Sequence, residues 1–429
     1  MKKVILISAM WLIALVIAAQ DVVPSGTWSG KLNVMGQSIT LVFHLDGAAT
    51  TLDSPDQGVR GIAATLECTG NTVKVGVPSL GATYEGTLAG DSIKGTFSQR
   101  GYPFPLTLTR GATTRNRPQT PQPPFPYDTE EVTFVNGDAT LSGTLVTPAG
   151  CTAHTPVLVL VTGSGLQNRD EEMFEHKPFA VIADVLARQG IATLRYDDRG
   201  FGKSTGDLVN VTTDDLKLDA LAGVESLRSR FDRVGVLGHS EGGTIALMLA
   251  AECKVDFAVC LAAGVVSGQA TLIEQNRHKL RQLLYPNDVV ENYCQVLNAL
   301  FDDLKAGRHP VLIDHGLPTE LEQNLQVVLA QSGTPYMRRF LALDVRPMLS
   351  RITCPVLALN GTKDTQVNCD GNLQALRDNL VCPNEIVPVE GANHLFQPCT
   401  TGEFEEYKDI EVTIAPAVLD TIVAWLKRL

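Results

Sequence analysis

At 429 residues the chain exceeds one typical domain, and its 44% hydrophobic and 19% charged content exclude a disordered polymer. A net charge of −12 speaks against nucleic acid or an anionic membrane surface as a partner. The nine cysteines contain no Cys-x-x-Cys and no zinc-like pair, so no metal site is expected from them, and most suit small core positions. Cys369, Cys382 and Cys399 are the three expected closest in space.

Met1-Lys2-Lys3 leads into an apolar run from Val4 to Ala19, with small residues at Ala18 and Ala19. That pattern predicts a secretory signal peptide over residues 1–20, hence a periplasmic or secreted protein without a stable membrane anchor. Its removal takes away two lysines and no acids, moving the net charge from −12 to about −14. Residues 21–110 follow as short alternating runs, among them Ser38–Leu45, Thr72–Val77, Ser92–Phe97 and Leu106–Thr109, broken by Gly, Asp and Asn. Period-two alternation predicts a small antiparallel β domain, a barrel or a sandwich. Its aromatics (Trp28, Phe43, Tyr84, Phe97, Tyr102, Phe104) are few, which favours a structural or dimerising role over carbohydrate binding, so a homodimer is an open expectation.

Residues 111–127 form a proline-rich linker, with five prolines between Pro118 and Pro126. From residue 128 to 429 the pattern changes. Apolar strands (Pro156–Val161, Ile191–Tyr196, Val234–Leu237, Phe257–Ala262, Pro355–Asn360, Glu385–Val389) alternate with helical stretches near Phe179–Gln189 and Asp214–Arg230. This predicts an α/β domain with a mostly parallel sheet covered on both faces. Between residues 267 and 350 the alternation stops; helices such as Ala270–Leu284 and Val289–Lys305 predict an inserted helical cap.

Gly238-His239-Ser240-Glu241-Gly242 lies between a strand and a helix, the setting that lifts a nucleophilic serine out of a tight turn. A serine needs a base, and the base an orienting acid. Asp364 follows the strand ending at Asn360, and His394 follows the strand ending at Val389. The order serine, acid, histidine at successive strand ends fits acyl transfer. Asp370 is the rival acid, better suited to cap the helix from Asn372; Asp364 also suits a turn aspartate. His239 is expected to point away from the hydroxyl. His176, His309 and His315 lack a strand-end setting and are expected at the surface or in the cap. The backbone N–H groups of Ser164, in Thr162-Gly163-Ser164-Gly165, and of Glu241 are the expected oxyanion donors.

Thr162–Glu171, Arg195–Ser204, Gly238–Gly243, Pro355–Asp364 and Gly391–His394 together resemble the α/β-hydrolase-fold serine esterases of the exported bacterial kind, some with a small N-terminal β domain. Thr162 stands where many of that family carry histidine. The resemblance implies that Ser240, Asp364 and His394 form the triad and that Asp198 and Arg199 brace the site. It implies hydrolysis of a small-molecule carboxylic ester through an acyl-serine, with no metal or organic cofactor. A peptidase or an acyltransferase would use the same triad; Glu171, Glu172 and Glu175 are the acids a peptidase could turn toward a free amino terminus.

Overall fold

A computed structural model describes residues 24–34, 37–111, 115–310 and 315–429; the signal-peptide expectation lies outside these residues. The described residues divide into two compact units, one before residue 112 and one from residue 115 onward.

In the first unit, β1 (Gly26–Val34), β2 (Gln37–Leu45), β3 (Thr51–Ser54), β4 (Val59–Ala63) and β5 (Thr65–Thr69) are followed by β6 (Thr72–Val77), β7 (Ala82–Ala89), β8 (Ser92–Gln99) and β9 (Tyr102–Arg110). Among the described residues they make one antiparallel sheet in the order β4-β3-β2-β1-β9-β8-β7-β6-β5. Burial alternates strictly along β7, and the inward residues of the strands gather in one cluster around Trp28, Phe43, Tyr84 and Leu108. One sheet therefore curls around one core, the barrel-like solution to a sheet with a single apolar face. Trp28, Phe43, Tyr84 and Phe97 are consumed by that core, while Tyr102 stays exposed.

The second unit holds a sheet of β10 (Tyr127–Asn136), β11 (Ala139–Pro148), β12 (Val157–Val161), β13 (Ala192–Tyr196), β14 (Val234–His239), β15 (Ala258–Leu261), β16 (Val356–Gly361) and β17 (Asn384–Val389). Its order is β10-β11-β13-β12-β14-β15-β16-β17, parallel from β13 onward. The chain steps from β12 to β13 on one side and then returns to β14 on the other. Such a switch point leaves a crevice at the carboxyl ends of the strands. Strand β12 shows why both faces are covered. Val157, Val159 and Val161 enter one apolar cluster, with α2 (Thr213–Leu227) and α3 (Glu241–Ala251). Leu158 and Leu160 enter the other, with α1 (Pro178–Arg188) and α10 (Pro416–Leu426).

The stretch from residue 267 to 350 is helical: α4 (Gly268–Gln282), α5 (Asn287–Lys305), α6 (Thr319–Ser332), α7 (Pro335–Ala342) and α8 (Arg346–Leu349). Tyr293, Leu297, Phe301, Leu325 and Leu341 form a separate core for α4–α7, so this insertion packs as a body of its own on the sheet domain. Helix α9 (Cys369–Asn379) begins at Asn368, whose side chain accepts from Gly371 N at 2.8 Å. Asn368, and not the expected Asp370, is its cap, because only the residue before the first turn can reach an unpaired N–H.

The proline-rich stretch belongs in part to the second unit. Arg117 donates to the carbonyls of Phe174, Lys408 and Ile410, and Gln119 exchanges hydrogen bonds with Thr413 and Ile414. Cys382 has Cys260 and Cys354 as neighbours, whereas the Cys369 and Cys399 thiols face the carbonyls of Asn360 and Gly391.

Candidate active site

Strand β14 ends at His239, and Ser240 turns the chain into α3 with φ 53° and ψ −118°. A non-glycine residue pays strain for that conformation, and such strain persists only where the surroundings impose it. The neighbours are small of necessity. A Cβ on Gly238 would lie 1.9 Å from the Gly242 carbonyl oxygen, and one on Gly242 would lie 2.0 Å from that of Val161. Strand, turn and helix thus meet backbone to backbone, with Ser240 at the mouth of the crevice.

Asp364 follows β16 in a tight turn. Its Oδ1 accepts from the N–H groups of Gln366 and Val367, each at 2.8 Å, and its Oδ2 lies 2.7 Å from Nδ1 of His394. The turn aspartate and the orienting acid are therefore one residue, each role using its own oxygen. His394 leaves β17 through a loop tied by Asn393, whose Oδ1 accepts from the N–H groups of Leu395 and Gln397. Ser240 and His394 line one cavity of about 320 Å³, although the hydroxyl and the ring make no hydrogen bond among the described residues. From the cap, Thr271, Leu272, Gln275, Tyr336, Met337 and Phe340 cover the same cavity, and the rings of Tyr336 and Phe340 stack at 6.2 Å.

The expected donors sit together. The Gly163 N–H is taken by Glu171 Oε1 at 2.7 Å. The N–H groups of Ser164 and Glu241 have no acceptor among the described residues, and the Ser164 hydroxyl donates to Glu241 Oε2 at 2.8 Å. Glu241 opens α3, where the helix dipole and unpaired N–H groups favour a developing negative charge. The loop is anchored beneath. Asp198 accepts from Thr162 Oγ1 and the Gln167 N–H, both at 2.8 Å, while Arg199 makes a paired contact to Asp219 at 2.7 and 2.6 Å. Burial pushes the Asp198 carboxyl up to about 8 against these hydrogen bonds, with Glu171 and Asp219 adding to the rise.

His239 does turn from the hydroxyl, into a role that its sequence position did not reveal. Its Nδ1 lies 2.9 Å from Glu171 Oε1, its Nε2 2.9 Å from the His394 carbonyl, and its ring 4.7 Å from the His394 ring. Burial pulls its pKa down, but Glu171 and the carbonyl more than offset this and leave it raised. His176 is a correction. It is fully buried, against Thr413, Gln397 and the Tyr407 carbonyl, because the loop between β12 and α1 packs against the segment after β17. Burial, with Arg117 nearby, lowers its pKa to about 4. Of the acids expected for an amino-terminus site, Glu171 is spent on His239 and Gly163, Glu172 faces Lys177 at 3.7 Å, and Glu175 faces Arg115 at 3.6 Å.

Known proteins add to this geometry. The chain is 29% identical over 246 residues to esterase EstD of Thermotoga maritima, an alignment covering 57% of this chain and 54% of that protein. It spans about half the length of that curated relative. Among solved structures it is similar to the esterase Pf2001 of Pyrococcus furiosus at 17% identity, covering 74% of this chain and 99% of that one with a TM-score of 0.43. It is similar also to the proline iminopeptidase of Mycobacterium smegmatis at 17% identity, covering 70% of this chain and 98% of that one with a TM-score of 0.44. Residues 175–396, just over half of the chain and including Ser240, Asp364 and His394, match the hydrolase family described as serine aminopeptidase, S33, and the chain belongs to that family.

Proposed function

We propose that the protein is a serine hydrolase that cleaves carboxylic esters through an acyl-serine. The observation that carries this reading is the His394–Asp364 contact at 2.7 Å, with the imidazole and Ser240 on the wall of one cavity. In the proposed reaction the Ser240 hydroxyl attacks the ester carbonyl and Nε2 of His394 takes its proton. Asp364 holds the resulting imidazolium in place. The oxyanion is received by the N–H groups of Ser164 and Glu241, each such donor being worth about 3 kcal/mol of transition-state stabilisation. His394 returns the proton to the leaving alcohol, then activates the water that releases the acid.

A peptidase acting on a free amino terminus would need a carboxylate open to the cavity. The carboxylates that line it, Glu171 and Glu241, are both engaged by protein donors, which supports the ester reading. Export through the leader, and a structural or dimerising role for the β unit, belong to the same proposal.

The test is turnover of short and long p-nitrophenyl esters and of aminoacyl p-nitroanilides by the wild type and by Ser240→Ala. Ester turnover that falls by about 10⁶-fold in the variant is the expected result. Serine-dependent anilide cleavage with negligible ester turnover would replace the esterase by the peptidase.

A further inference from the structure

Glu241 is the first residue of α3, it is 5% exposed, and no cation is paired with it among the described residues. Burying a carboxylate is costly unless hydrogen bonds compensate it. Here three hydroxyls do so, each from a different segment: Ser164 Oγ at 2.8 Å from the oxyanion loop, Thr213 Oγ1 at 2.6 Å from the start of α2, and Tyr336 OH at 2.5 Å from cap helix α7. One turn further along α7, Arg339 grips Asp214 at 2.6 and 3.1 Å, so the cap helix meets the start of α2 beside the same carboxylate. Burial, and then the Glu241 charge, raise the Tyr336 pKa and keep its phenol a donor. A carboxylate this close to a forming oxyanion would oppose it, were its charge not spread over three donors. An apolar residue would fill the space without that problem, so a packing role alone does not account for an acid.

We propose that the Glu241 carboxylate is a positioning group, clamping the Ser164 loop, the start of α2 and cap helix α7 to the nucleophile turn, so that seating of the cap is coupled to alignment of the two oxyanion N–H groups. The proposal rests on the acyl-transfer reading above. Both donors are fixed by one side chain: Glu241 contributes its own N–H, and its carboxylate holds the residue that contributes the other. Misplacement of such groups by an ångström costs about 100-fold in rate.

Glu241→Ala, Glu241→Gln, Tyr336→Phe and Ser164→Ala in the full chain test it, through kcat and KM on the ester turned over best, affinity for phenylboronic acid as a tetrahedral mimic, and melting temperature. The expected result is a fall in kcat of about 100-fold for Glu241→Ala and about 10-fold for Tyr336→Phe, with KM within about 3-fold and a matching loss of boronate affinity. Glu241→Gln, which keeps an acceptor, recovers part of the Glu241→Ala loss. Ser164→Ala adds nothing in the Glu241→Ala background, as partners in one interaction are not additive. Wild-type kcat in both Glu241→Ala and Tyr336→Phe overturns the clamp, as does a Glu241→Gln enzyme faster than wild type. So does a loss of kcat that merely follows the melting temperature. Absence of serine-dependent ester turnover in the wild type sinks the acyl-transfer reading instead, and the boronate measurement then reads the clamp by itself.

Discussion

His394 with Asp364 and His239 with Glu171 are chemically the same pair, an imidazole whose Nδ1 meets a carboxylate oxygen at 2.7 and 2.9 Å. The rings are neighbours, both are buried, and both leave the same end of the sheet. They differ at the second nitrogen. Nε2 of His239 meets the His394 carbonyl, so both of its nitrogens face oxygen partners and neither is left for a substrate proton. The Glu171 charge favours the protonated form of that ring, in keeping with its raised pKa. Nε2 of His394 meets no protein group among the described residues and its ring lines the cavity, which leaves a lone pair for the Ser240 proton. A histidine–carboxylate pair is thus no signature of catalysis by itself; what the far nitrogen meets decides between a base and a strut.

Substitutions can break that contrast. Removing the base by His394→Asn is expected to lower kcat by about 10⁶-fold while the protein still folds. Asp364→Asn keeps an oxygen for the Gln366 and Val367 N–H groups but turns an amide N–H₂ toward His394. It favours the wrong tautomer and is expected to cost about 10⁴-fold in kcat with KM little changed. In the strut the order of effects reverses. His239→Asn leaves Glu171 buried and unpaired, and urea denaturation should show a loss of about 3–5 kcal/mol, against a kcat loss of about 10-fold. A His239 variant that folds normally and is as inactive as the His394 variant would exchange the two roles.

The effect expected to touch kcat least concerns the stability contributed by Asp198, beneath the oxyanion loop. Its raised pKa means that the folded protein keeps a proton which the unfolded chain has lost. Its contribution to stability is complete below the ordinary value of 3.8 and drains away as pH rises to about 8. Asp198→Asn mimics the protonated acid, so its melting temperature should vary less across that range than that of the wild type. A wild-type profile as flat as the variant's would show that Asp198 stays ionised on folding.

The contrast between the two pairs also marks what could be read from residues alone. The convergence of Ser240, Asp364 and His394 was legible because each sits at the end of an apolar strand, and strand ends in a parallel sheet converge. The closeness of Ser164 and Glu241 followed from the same rule, since β12 and β14 are neighbours. The strut was not legible, because Glu171 reaches His239 across 68 residues from an irregular loop. His176, read as a surface or cap residue, is buried by partners up to 237 positions away. Tyr336 lies in an amphipathic cap helix whose pattern reports only which face is buried, and nothing local marks the one hydroxyl that reaches the site. Local periodicity places elements; it carries no information on which loops are laid over one another.

The Arg117 and Gln119 contacts bear on how the molecule can be divided. Any fragment intended to carry the α/β unit alone has to start at Arg115 and not at Tyr127, the first residue of its sheet. Cutting at the strand would strip the partners from the carbonyls of Phe174, Lys408, Ile410 and Ile414, the very segment that encloses His176. What looks in the sequence like dispensable tether is, from Arg115 onward, a seam of the catalytic unit.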